Sequence, residues 1–271
     1  FLVAINFSFL PIPIVWLLSI IGAVVFGAAW AYIPGYLQAK RGSHVVITTI
    51  MFNFIASSLM VFLLVDVIRD TNQMGPHTVA LPKELWFPTF KDFAHLIGIK
   101  IRYSPLNISF LIAIIASFFV WFLIWKTKWG YEMRAVGHNT KAAIYAGISP
   151  HKNIIIAMLI SGGLAGMLGI NEILGVHHKI VAGFPAGYGF TGIAVALMGR
   201  NHPVGIFPAA FLFGILYQGG SEVTFDMPNI TRYMFVAVQG VIILFSGALE
   251  NLFRPQIESF FVNQINKEEM A

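Results

Sequence analysis

Gly187, Gly189 and Gly192 form a G-x-G-x-x-G run, the pattern with which a strand-to-helix turn holds a dinucleotide pyrophosphate. That chemistry needs a strand before the run and an acidic residue about 20 positions after it. Here residues 181–186 include Pro185, and 193–198 continue as an apolar helix. The glycines therefore predict close backbone packing and an irregular helix start inside a membrane. His177 and His178 are adjacent. On a helix they point about 100° apart, which makes a poor chelate, and no further ligands accompany them. With 0 cysteines there are no disulfides, thiolate nucleophiles or cysteine-held metals. H-E-x-x-H, P-loop and serine-elbow patterns are all absent. The chain is predicted to carry no catalytic residue, no cofactor and no metal.

The elements that hold these residues are apolar helices. The 271 residues are 57% hydrophobic and only 11% charged, against about 25% charged in a soluble domain. No single soluble core hides that much apolar surface. The predicted fold is an all-α polytopic transmembrane bundle. A bilayer core of about 30 Å takes about 20 apolar helical residues. Seven stretches fit: 12–33, 45–68, 105–125, 153–176, 183–199, 204–219 and 231–250. The fifth and sixth are short and interrupted by glycine and proline, as in the broken or re-entrant helices of transporters. Simple alternation puts Lys40, Arg41, Lys126, Lys128, Arg134, Lys141, Lys152, Arg200, Arg254 and Lys267 on one side. Five of the other seven basic residues lie in or beside the 69–104 loop, so the first side is predicted to be cytoplasmic. The net charge of +5 reflects this loop topology and not nucleic-acid binding.

The domain expectation is one transmembrane unit, 1–271. It has an ordered outer loop at 69–104, an inner loop at 126–152 and a solvated tail at 251–271 inside. The chain begins at Phe1, not methionine, which predicts processing or a piece of a longer chain. Phe1 lands outside, so a cytoplasmic N-terminus needs an odd number of helices upstream.

Polar residues within apolar helices must find partners or line a path. Thr49, Asn53 and Ser57 are spaced i, i+4, i+8 and form one polar stripe. Asn53 is about 12 Å deep at 1.5 Å per residue, and Gln239 lies at similar depth from the opposite face. Tyr188 and Phe190 flank the glycine run. Uncharged polar groups with aromatics suit weak, passing contacts with a neutral, ring-containing solute. These six residues are the candidate path; interhelical hydrogen bonding is the alternative. Asn171 and Glu172 are predicted to sit at the outer interface. Gly162 and Gly166 are four apart, as are Ser161, Ala165 and Gly169. Small residues at this spacing let another helix approach.

The inner loop is the most informative stretch. Asn139 is placed to N-cap a short helix over 140–146, which Gly147 and Pro150 then stop. A small amphiphilic helix held outside the bilayer is a candidate docking knob; a surface loop helix with no partner is the alternative. The run G-x-x-x-R-A-V-G-x-N-x-x-A-A-x-Y-A-G-I at 130–148 resembles the coupling-loop signature of ABC-importer permeases of the branched-chain amino acid and ribose permease superfamily. VITTIMFNFIA at 46–56, the A-G to E-I-L-G stretch at 165–175, and GYGFTGIAVALMGRNHP at 187–203 resemble the simple-sugar and nucleoside branch. Val45 stands where that branch often has Glu. The resemblance covers 30–250 and implies further helices upstream.

The resemblance implies a multi-pass permease of the bacterial inner membrane with no ATPase site of its own. Gly130, Arg134, Gly137, Asn139, Ala142, Ala143 and Gly147 would form the ATPase-coupling loop. The implied partners are a cytoplasmic ABC ATPase, a second permease subunit, an extracytoplasmic binding protein and membrane lipid. Nucleosides or simple sugars are the implied cargo. The rival is an ion-coupled secondary transporter, which usually places a carboxylate at the midplane. Asp66 and Glu172 both lie near segment ends.

Overall fold

A computed structural model describes residues 1–70, 75–91, 106–184, 187–227, 234–242 and 244–245. The chain divides into two compact units, Phe1–Phe184 and Pro185–Ala271. Among the described residues the regular structure is helical, as its composition predicts. Five helices among the described residues are long and apolar enough to cross a membrane.

The first unit is built around a helix pair. Short α1 (Leu2–Asn6) leads into α2 (Ile12–Arg41), which has a proline in its first turn and Gly42 in the left-handed conformation just beyond its end. Both are the residues that helix ends favour. α3 (Val45–Phe62) has no buried residue and finishes in a π-helical turn, Leu63–Val67. α4 (Ser109–Lys126) is followed by α5 (Lys128–His138) and α6 (Thr140–Tyr145). α7 (Pro150–Ile170) also ends in a π-helical turn, Asn171–Val176.

α2 and α7 touch backbone to backbone. A Cβ on Gly27 would meet the Gly162 carbonyl oxygen. One on Gly162 would meet Ala31 Cβ and the Gly27 carbonyl, and one on Gly166 the Ala23 carbonyl. Of the two small-residue rows in the sequence, Gly162 and Gly166 make this seam. Gly169 has nothing within 4 Å of an added Cβ, because it lies beside a cavity also lined by Gly22 and Ile173.

At the end opposite Lys40, Arg41 and Lys126, residues 75–91 fold back as a cap. Leu81, Leu85 and Phe87 are buried in one cluster with Val15, Ile170 and Leu174. Trp16 Nε1 donates to the Leu85 carbonyl at 3.0 Å, and the Trp16 and Phe87 rings meet edge to face.

In the second unit, α8 (Tyr188–Met198) has only 11 residues, about 16 Å at the helical rise. Gly187 precedes it in the left-handed conformation. Arg200 and Asn201 both take positive φ, which is uncommon outside glycine, and close a tight turn into α9 (Pro203–Asp226). A Cβ on Gly199 would lie 2.7 Å from the Ile206 backbone, and one on Gly205 would meet the Gly199 carbonyl. The 183–199 stretch is thus half the length of a span. The 204–219 stretch runs on to Asp226, because Ser221 and Thr224 satisfy their hydroxyls on the helix's own carbonyls. Of 231–250, the described residues 234–242 and 244–245 are helical. The tail 251–271 lies outside the described residues.

Candidate functional site

Two features stand out: an exposed helical knob at the basic end, and a cavity between α2, α3 and α7 with polar groups on its lining.

The knob is held rigidly to its base. Thr127 Oγ1 donates to the Leu123 carbonyl at 2.6 Å and accepts the Gly130 N–H at 3.2 Å. This joins the end of α4 to the start of α5. A Cβ on Gly130 would run into the Leu123 and Ile124 carbonyls, so glycine is required by close approach. Asn139 Oδ1 accepts the N–H groups of Lys141 and Ala142, a cap worth about 1 kcal/mol. Gly147 takes φ +79°, and the Ile148 N–H closes on the Ala143 carbonyl at 2.9 Å. Ala143 is buried under the knob.

The outer surface of the knob carries exposed apolar and basic side chains. Tyr145 is 97% exposed and Ile144 58%; Trp129 and Tyr131 on α5 are exposed as well. Arg134, Gly137 and Ala142 are exposed, and nothing lies within 4 Å of a Cβ built on Gly137. The predicted loop residues therefore divide in two. Gly130, Asn139, Ala143 and Gly147 shape the knob, and Arg134, Gly137 and Ala142 present its surface. Sequence reasoning missed a further tie. Asn153 Nδ2, buried at the start of α7, donates to the Ser149 carbonyl at 3.0 Å and to Glu132 Oε2 at 3.5 Å. These two residues lie 21 positions apart on different helices, and no periodicity signals the pair.

The predicted path residues fall in both units. Thr49 and Asn53 line a cavity of about 390 Å³ with Trp30, Phe52 and Ser161. Thr49 Oγ1 lies 2.9 Å from the carbonyl of Val45 and 3.1 Å from that of Val46, so its hydrogen stays within its own helix. Asn53 and Ser57 are exposed, and Ser57 is not part of the cavity lining. Tyr188, Phe190 and Gln239 belong to the second unit. The Tyr188 ring lies 6.5 Å from that of Tyr217, Phe190 is 72% exposed, and Gln239 is half-buried.

Asn171 and Glu172 lie just beyond α7, at its capped end, with Asn171 half-buried. Glu172 is buried. Its Oε1 accepts from Asn171 Nδ2 at 3.2 Å, its Oε2 lies 3.4 Å from His177 Nε2, and Asn171 in turn accepts from Asn107 at 3.4 Å. The cap covers this end of α7, which an isolated apolar segment cannot reveal. His178, with φ +56°, stacks flat on Trp86 at 3.6 Å, and its carbonyl accepts the Leu81 N–H at 2.8 Å. Burial lowers its pKa from the ordinary 6.5. The folded cap therefore binds a proton less readily than the unfolded chain. Cap stability is full above about pH 6.5 and falls as the pH drops below it. Hydrogen exchange at the Leu81 and Ile180 amides, corrected for intrinsic rates, should accelerate between pH 6.5 and 5, and His178→Phe should flatten that response. Equal acid sensitivity in both proteins would remove His178 as the cause.

Relatives agree with the helical architecture. Residues 2–247 match the family described as branched-chain amino acid transport system / permease component. The chain is 37% identical over 229 residues to a guanosine ABC transporter permease protein of Bacillus subtilis (strain 168), covering 84% of this chain and 63% of the relative. It is 34% identical over 251 residues to a glucose ABC transporter permease protein of Haloferax volcanii, covering 90% and 63%. It is also 34% identical over 247 residues to a nucleoside ABC transporter permease protein of Lactococcus lactis subsp. cremoris, covering 87% and 65%. The chain spans a little under two thirds of the length of these relatives. No solved structure matches. This multi-pass membrane chain belongs to the branched-chain amino acid transport system permease family.

Proposed function

We propose that the chain is a permease subunit of an ATP-driven ABC importer for nucleosides or simple sugars. The α5–α6 knob docks a separate cytoplasmic ATPase, and the subunit itself hydrolyses nothing. A second permease, identical or related, completes the path, and an extracytoplasmic binding protein delivers the cargo on the cap side. The observation that carries the reading is the knob. A rigidly based helix offering exposed Ile144 and Tyr145 at the basic end of the bundle needs a soluble partner to cover it, since large exposed apolar groups mark interaction sites. The relatives' descriptions, two naming nucleosides or guanosine and one glucose, support this cargo class.

The test is reconstitution. The subunit alone in liposomes should move no guanosine or glucose under a proton or sodium gradient. The same subunit with its ATPase, second permease and binding protein should take up one of them when ATP is supplied. Gradient-driven uptake by the subunit alone would overturn the reading in favour of an ion-coupled transporter.

A further inference from the structure

Glu222 on α9 plays no part in the knob or the cavity. The predicted sixth span ends at 219, but α9 runs on to Asp226 and so brings this carboxylate onto a membrane helix. Glu222 is the one charged residue of the apolar span Pro203–Phe225. It is exposed, and Gln218 Nε2, one turn earlier, donates to its Oε1 at 3.2 Å. A charged side chain turned to hydrocarbon is costly, so such a residue faces protein or water. Elsewhere on α9 a Cβ at Gly220 would run into the Phe235 ring. Gln218 and Glu222, each two residues from Gly220, lie on the side of the helix away from that contact.

Height decides between protein and water. With Arg200 on the inner side, Tyr217 stands about 21 Å and Glu222 about 28 Å up from Pro203 at 1.5 Å per residue. Glu222 is then at the outer edge of a core about 30 Å thick. α8 accompanies only the lower part of α9. Its first residue, Tyr188, lies beside Tyr217 with ring centroids 6.5 Å apart, and above them α9 goes on to Asp226 without it. Gly187, exposed and left-handed, precedes α8 at that height. Non-helical backbone at membrane depth is tolerated only where protein buries it or water fills the space beside it. Exposed Gly187 and exposed Glu222 both place water there.

We infer that this face of α9 lines a water-filled outer vestibule in which Glu222 and Gln218 read a pair of neighbouring hydroxyls on a neutral solute. A carboxylate has two acceptor oxygens and no donor, which suits two hydroxyl donors side by side on one ring. Gln218 steadies one of those oxygens and keeps its own amide carbonyl for a further hydroxyl. Tyr188 and Tyr217, at the foot of the vestibule, offer ring faces to the apolar side of the solute. A ribose and a glucose both carry such a hydroxyl pair, so one recognition chemistry serves the cargoes named for the guanosine, nucleoside and glucose relatives. The inference rests on the permease reading and makes the hydroxyl pair, not the base, the part of the cargo read here.

The test uses the assembled importer with its ATPase, second permease and binding protein. The chain has no cysteine of its own, so single cysteines report directly. Gln218→Cys should react with a membrane-impermeant maleimide added outside; no reaction overturns the vestibule. Phe225→Cys, exposed one turn above Glu222, reports occupancy without relying on the binding protein. Millimolar uridine or glucose should slow its labelling, 2′,3′-dideoxyuridine should not, and Glu222→Gln should abolish the protection. Equal protection by the dideoxy compound rejects hydroxyl reading, and protection by sodium in place of choline makes Glu222 a cation site; either overturns the inference. In uptake, Glu222→Gln should lower ATP-driven entry of guanosine or glucose per assembled complex roughly fivefold, the scale of one ligand hydrogen bond. Detergent melting temperature and basal ATP hydrolysis should stay unchanged. If the wild-type complex takes up either solute and Glu222→Gln matches it, the hydroxyl-reading pair is wrong while the permease reading stands. If the wild-type complex takes up neither, the permease reading itself has failed and the inference falls with it.

Discussion

Ala142→Arg is expected to suppress ATP-driven uptake and to leave the isolated subunit as stable as the wild type. Ala142 is exposed on α6, so a longer side chain meets only water in the free subunit. Against a packed partner the same atoms must be accommodated, and a docked helical surface tolerates little added volume. Gly137→Arg should act alike, since a Cβ there meets nothing within 4 Å. Uptake should drop below about one tenth, which one lost docking contact worth 1.4 kcal/mol already gives, while ATP hydrolysis continues uncoupled. Ala143→Arg is the contrasting control. Ala143 is buried, so its replacement damages the knob itself and lowers subunit stability. Normal uptake in both the Ala142 and Gly137 variants would make the knob a bystander.

Gly162→Leu is expected to destabilise the subunit sharply. The added side chain would have to enter the space of Ala31 Cβ and the Gly27 carbonyl, and neither can move without parting α2 from α7. Overpacking on this scale costs about 3 kcal/mol or more, equivalent to a melting temperature lower by roughly 6–12 °C. Gly166→Leu meets the Ala23 carbonyl and should behave the same way. Gly169→Leu, on the same helix but facing open space, should shift the melting temperature by only a few degrees. Fluorescence-detected size exclusion with thermal ramping separates the three. Equal behaviour of Gly162→Leu and Gly169→Leu would show that the seam is not as tight as its geometry requires.

The legible parts of the fold are those dictated locally. Apolar runs mark the long helices because nothing but a bilayer accepts them, and Asn139 announces its cap because the capping atoms lie two and three residues away. The spacing of Ser161, Gly162, Ala165, Gly166 and Gly169 names a packing helix, but which row meets α2 depends on rotation about the helix axis. Of the Thr49–Asn53–Ser57 stripe, Thr49 and Asn53 line the cavity and Ser57 does not. Trp30 reads as one more apolar residue until α3 and α7 are placed around it. The stacking of His178 on Trp86 joins segments about 90 residues apart, which local patterning does not encode.

The shortness of α8 has a consequence for how the chain is made. Partition into the bilayer during synthesis responds to segments of about 20 apolar residues, and 11 residues fall well below that length. Left alone, α8 would rest at the headgroup boundary with its terminal carbonyls toward water, because a helix end stranded in hydrocarbon has no partner for them. The tight Gly199–His202 turn and the close fit of Gly199 against Ile206 mean that α8 and α9 enter as one hairpin, with the longer helix carrying the shorter. A chain truncated after residue 202 should therefore leave a cysteine introduced into α8 reactive toward a membrane-impermeant maleimide, and one extending beyond residue 226 should protect it. Insertion of this segment waits on a helix that has not yet been translated.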